Sequence, residues 1–129
     1  MAPLLAWLLL PGCPASGDDT SGGTIALTLL SPTDGAVVCG DPLVVETRVE
    51  NFTLTNETIE DAPPDVGHLH VYLNGQEVAQ SDQETVSIAG VTDGEWQLRV
   101  DLALANHDAL DPYVGTTIYI TVDDSLCGA

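Results

Sequence analysis

Between Trp96 and Leu104 every second residue is apolar: Trp96, Leu98, Val100, Leu102 and Leu104 alternate with Gln97, Arg99, Asp101 and Ala103. A period of two lines one face of an extended strand, whereas a helical period would scatter the same side chains around an axis. The rhythm returns along the chain. Leu43, Val45, Thr47 and Val49 oppose Glu46, Arg48 and Glu50, and Leu69, Val71 and Leu73 oppose His68, His70 and Tyr72. Ile118, Ile120 and Val122 oppose Thr117, Tyr119 and Thr121 near the C-terminus. Shorter extended segments are predicted over Thr24 to Leu30, over Glu77 to Gln80, and around Val86 and Ile88. Turn residues separate these runs at Ser31 to Gly35, at Asp93-Gly94, and at Asn74-Gly75, the last being the dipeptide that favours a tight type I′ hairpin. No stretch sustains a helical period. About seven strands in a hundred residues predict an all-β chain, a single antiparallel sandwich with one wet face on each sheet.

The runs LTLLSPTDGAVV, VTDGEWQLRV and TIYITV resemble bacterial Ig-like or fibronectin type III-like domains of envelope proteins. The resemblance spans most of residues 24 to 124 and rests on structural motifs. It implies an Ig-like sandwich, a fold that hosts adhesion, ligand binding, spacing and occasional metal sites, so it assigns no activity.

Charge narrows the partners. The 129 residues hold twenty acidic side chains, two arginines and no lysine, for a formal net charge of −18. Such a surface repels phosphate backbones and excludes nucleic acid. The missing lysine excludes a P-loop, a pyridoxal Schiff base and a lysine nucleophile. Disorder is equally disfavoured, because 44% of the residues are hydrophobic. The acidity reads as a solvating surface, since no calcium loop of the D-x-D-x-D-G type occurs.

The opening residues MAPLLAWLLL form an apolar run too short to cross a bilayer as a helix and suited to an export signal. Leu10, Pro11, Gly12 and Cys13 follow it and resemble the lipobox of bacterial lipoproteins, with Pro11 and the absence of a basic residue before the run as departures. That resemblance implies a signal peptide over 1–12, a lipid on Cys13, and a flexible linker through 23 ahead of a domain over 24–129. A conventional secretory signal is the alternative. With Cys13 lipidated, Cys39 and Cys127 are left as a disulfide pair in an oxidising compartment; a metal role for them lacks a C-x-x-C spacing.

All three histidines fall in one pattern. His68 and His70 are two apart and so share the outer strand face, and His107 follows the long strand that an Ig order places beside theirs. Two imidazoles from H-x-H with a third nearby suit zinc(II) or copper(II) with one position open. Asp65, Asp108 and Asp111 in the adjoining loops are the expected orienting carboxylates. Gly67-His68-Leu69-His70 followed by Asn106-His107 also resembles a pattern in other small exported sandwich domains. The competing reading is solvated or loop-binding histidines. No G-x-S-x-G, H-E-x-x-H or G-x-G-x-x-G is present, which leaves a hydrolase as a remote alternative. The sequence thus predicts a non-catalytic, lipid-anchored binding or interaction module of the bacterial envelope. Its partners would be the membrane and an envelope protein or ligand met through the 51–66 and 105–115 loops. The alternative is a copper- or zinc-binding protein.

Overall fold

The structure is a computed structural model that describes residues 24–127. The expected signal, Cys13 and linker lie outside the described residues. Among the described residues nine strands form, in order β1 (Ala26–Ser31), β2 (Val37–Val38), β3 (Leu43–Glu50), β4 (Thr53–Leu54), β5 (Val66–Leu73), β6 (Gln76–Ser81), β7 (Thr85–Ile88), β8 (Gly94–Leu104) and β9 (Gly115–Val122). One 3-10 turn over Asp124–Leu126 follows them. The chain is therefore all-β, and the expectation of seven strands is corrected to nine in two sheets. The two additional strands, β2 and β4, are two residues long, too short for any alternation to register.

β1, β3 and β7 make a three-stranded antiparallel sheet. The second sheet has six strands in the order β2-β9-β8-β5-β4, with β6 also paired to β5. Its long pairings are antiparallel, but β2 runs parallel to β9 and β4 parallel to β5, so the expected all-antiparallel order does not hold. The first part of the chain changes sheets: β1 lies against β3, and after Pro32, which has no N–H to give a ladder, β2 lies against β9.

The inward rows predicted from alternation meet between the sheets. Leu43 and Val45 from the first sheet pack with Leu69, Val71, Leu98, Val100, Leu102, Ile120 and Val122 from the second, each at most 2% exposed. Burying each such side chain contributes about 1.5–3 kcal/mol. Trp96, expected in the core, is only half-buried and packs at its margin, with its indole N–H donated to the Thr92 carbonyl at 2.9 Å. Cys39 and Cys127 are joined as a disulfide, which ties the end of the chain to the segment after β2 across 88 positions.

Two neighbouring strands depart from the wet-face pattern, and in β8 the residues from Val100 to Ala103 are buried on both faces. In β5 every residue from Gly67 to Val71 is buried, on both faces. Two loops cover its outer face. The 51–65 segment is pinned by Thr53 N–H to the Asp65 carbonyl, Thr55 N–H to the Gly67 carbonyl and Ile59 N–H to the Ala105 carbonyl. The segment after β8 folds back so that Ala103 bridges Ala109. Gly67 lets β5 approach β8 closely, because a Cβ there would run into the Ala103 carbonyl.

Candidate metal centre

β5 and β8 pair so that His68 faces Ala103, His70 faces Asp101 and Tyr72 faces Arg99. His68 and His70 project from the same side of β5, as their spacing requires, but they are 4% and 8% exposed instead of solvated. The expectation of an outward, wet face is overturned by the covering loops. His107 is exposed and sits past the end of β8, in the turn that the Leu104 N–H closes on the Asp108 carbonyl at 2.9 Å. Its φ of 74° is left-handed backbone, which costs a non-glycine residue about 1–2 kcal/mol. The turn brings its ring to 4.9 Å from that of His68, edge to face.

The three imidazoles converge. One ring nitrogen from each of His68, His70 and His107 lies within 4.8 Å of the others. His68 Nε2 and His70 Nε2 are 2.8 Å apart. A tetrahedral cation with bonds of about 2.0–2.1 Å sets its nitrogens about 3.3 Å apart, between those two limits. Small ring rotations therefore suffice to close three nitrogens around one ion.

The protonation states suit that use. Burial holds His68 below the ordinary imidazole value of 6.5, and repulsion from His70 and His107 lowers it further. Burial lowers His70 as well, against the opposing pull of Glu77 and Asp101. Both rings are thus neutral near pH 7, the form that ligates metal. His70 Nδ1 lies 3.2 Å from the Tyr72 hydroxyl and 3.8 Å from Glu77 Oε1. In the tautomer with the proton on Nδ1, directed at these oxygens, the Nε2 lone pair faces His68.

Behind the histidines stands a charged brace. Asp101 is 8% exposed, accepts the Tyr113 hydroxyl proton at Oδ1, and has Arg99 Nε 3.2 Å from Oδ2. Arg99, one of two cations in the chain, lies 4.0 Å over the Tyr72 ring. Desolvation and then the hydrogen bond to Asp101 push the Tyr113 phenol up to about 12. Gly115 makes room for this contact, since a Cβ there would meet both Asp101 and the Tyr113 hydroxyl.

The carboxylates beside the imidazoles are therefore Glu77 and Asp101. Asp65, Asp108 and Asp111 are exposed, and among the described residues they make no side-chain hydrogen bond to a histidine. Asp65 and Asp108 take part through backbone carbonyls that shape the covering loops, and Asp111 borders an apolar hollow with Ile25, Pro64 and Leu110. The signal for Asp101 was its place in the outward row of β8, but only the β5–β8 register sets it opposite His70.

No protein-family model matches this chain, and no curated protein sequence does. Solved structures do match. A fibronectin(III)-like module of CbhA from Clostridium thermocellum is 14% identical, with a TM-score of 0.51 over 76% of this chain and 96% of that one. The endo-β-1,4-mannanase from Thermotoga petrophila is 12% identical, with a TM-score of 0.53 over 83% of this chain and 21% of that enzyme. An engineered protein is 16% identical, with a TM-score of 0.50 over 78% of this chain and 20% of its own. The chain thus spans about a fifth of the last two, whose activities stay their own. At these identities the likeness is one of fold: the domain has an Ig-like, fibronectin III-like β-sandwich architecture.

Proposed function

We propose that this chain is a non-catalytic binding module that captures copper(II) or zinc(II) with His68, His70 and His107. The observation that carries the reading is the convergence of three imidazole nitrogens within 4.8 Å of one another. Solvated or loop-capping histidines have no need of it. Two of the rings are buried, and the third is held on left-handed backbone. Asn51 and Asn74 share that conformation, which asparagine tolerates in turns, whereas a histidine held there beside two buried histidines fits a functional site.

The remaining parts of the reading concern address. The disulfide belongs in an oxidising compartment, which supports export. The lipobox-like Leu10 to Cys13 supports a signal over 1–12, a lipid on Cys13 and a linker through 23, which would hold the 24–129 domain on a bacterial envelope membrane. No helix among the described residues is long and apolar enough to cross a membrane. The 51–66 and 105–115 loops, which border the histidines, are where an envelope partner would meet the domain. The acidic surface disfavours nucleic acid and favours cations.

Calorimetric titration of the purified protein with copper(II) and with zinc(II), beside the His68→Ala/His70→Ala variant, tests the reading. One-to-one binding by the wild type that is lost in a folded variant is expected. Weak binding of several ions, equal in both, would mean that only the carboxylates attract cations, and the metal reading would fail.

A further inference from the structure

Two spaces meet at the three imidazoles, and they differ in kind. His70 and His107 border the smaller, of about 150 Å³, together with Tyr72, Glu77, Asp101 and Tyr113. His68 and His107 border the larger, of about 370 Å³, together with Asn56, Thr58, Ser81 and Asp82. A cation bound by the three nitrogens would sit between them. Three protein ligands leave a four-coordinate ion one position for a donor from outside. Among the described residues the cluster consists of the three histidines, with no carboxylate inside its 4.8 Å span.

The larger space is the one with room for an incoming ligand. It is a partly open cleft that is roomy enough for a five-membered ring. Charge then selects the type. The chain carries −18, and Asp82 lies in the mouth itself. Arg99, the cation beside the site, lies against Asp101 and Tyr72, which border the other space. An anion entering past Asp82 works against this field, whereas an uncharged donor does not. Neutral nitrogen is also a donor that copper(II) and zinc(II) bind well. Asn56 and Thr58 offer an amide and a hydroxyl to the distal N–H of such a ring.

Resting on the metal reading above, we propose that the loaded protein accepts an uncharged imidazole-type nitrogen donor at the open position. The donor enters through the cleft between the 56–58 and 80–82 segments, in preference to an anion. A free small molecule and a histidine side chain of a partner protein share this chemistry. The step forms one metal–nitrogen bond in place of bound water and changes no oxidation state.

The test uses the full chain loaded with one equivalent of copper(II). Imidazole, azide and the blocked peptide acetyl-Gly-His-Gly-amide are titrated in turn, with electron paramagnetic resonance and the visible spectrum as readouts. Imidazole is expected to saturate at one equivalent, to add one nitrogen hyperfine coupling, and to bind about tenfold or more tighter than azide. A response to imidazole and the peptide supports a protein side chain as the source, and a response to imidazole alone supports a small molecule. No response to imidazole with copper still bound, or azide binding as tightly, overturns the proposal. No one-to-one copper binding overturns it together with the reading beneath it. Thr58→Trp should fill the cleft, weakening imidazole about tenfold while copper affinity stays within about threefold, as for a surface change. Asp82→Asn should likewise leave copper affinity unchanged. If that variant loses copper about tenfold, Asp82 is the fourth ligand and the position is not open.

Discussion

Replacing His107 by glycine separates a ligand from a structural residue, because the two roles predict opposite signs. The residue is exposed and its φ is 74°, so the side chain buries little and its backbone is held in the left-handed region. The bonds that shape the turn are made by main-chain atoms: His107 N–H to the Leu104 carbonyl at 2.7 Å, and Leu104 N–H to the Asp108 carbonyl at 2.9 Å. Glycine keeps both. It relieves about 1–2 kcal/mol of left-handed strain and gives back about 0.4–1 kcal/mol through a freer unfolded chain. The net is a metal-free domain more stable by about 0.5–1 kcal/mol, or about 2–6 °C in Tm for a domain of this size. With metal the order reverses. At a hundredfold excess over its Kd a ligand stabilises the wild type by about 2.7 kcal/mol, and the variant, short of one of three ligands, gains little. Thermal unfolding followed by circular dichroism, once in chelator and once in zinc(II), reads both. A variant that melts lower than the wild type in chelator, or that gains as much from zinc, would refute the reasoning.

Acid should loosen the metal-free fold through the same histidines. Because the folded-state pKa values of His68 and His70 lie below the 6.5 of a free imidazole, the unfolded chain binds more protons as pH falls beneath that value. Stability present above it is then lost on acidification down to the folded pKa values. Urea titrations across that interval should show the decline in the wild type and a flatter profile in His68→Ala/His70→Ala; equal slopes would contradict it. Opening the disulfide that spans 88 positions should cost up to about 4–5 kcal/mol in chain-entropy terms, read as a fall in urea midpoint under reductant, and an unchanged midpoint would argue against it. Cys13→Ser should move the protein from the membrane fraction to the soluble export compartment. Retention on the membrane would exclude lipid on that sulfur as the anchor.

Much of the architecture was legible because strands with a dry face write a period of two into the sequence. The rows of β3, β5, β8 and β9 follow it: the side that alternation assigned inward supplies the core in each, although β5 and β8 are buried on their other face as well. What escaped was whatever two residues or a tertiary cover decide. β2 and β4 are held by a pair of register partners each, below the length at which periodicity exists. The outer face of β5 looked wet because His68 and His70 are polar, yet the 51–65 and 105–114 segments close over it. Convergence of the histidines followed from strand parity and neighbouring strands. The identity of the nearby carboxylates did not, because Asp101 and Glu77 reach His70 through strand registers that local sequence leaves open. Loop proximity had favoured Asp65, Asp108 and Asp111 instead.

X-ray absorption at the zinc edge, on protein loaded with one equivalent of zinc(II), addresses the central claim directly. Three imidazole nitrogens at about 2.0–2.1 Å, with the outer-ring scattering of histidine, are the predicted coordination shell. Loss of that scattering in His68→Ala/His70→Ala would assign the rings. A shell of oxygens alone, the same in both proteins, would place the ion on the acidic surface and contradict the account.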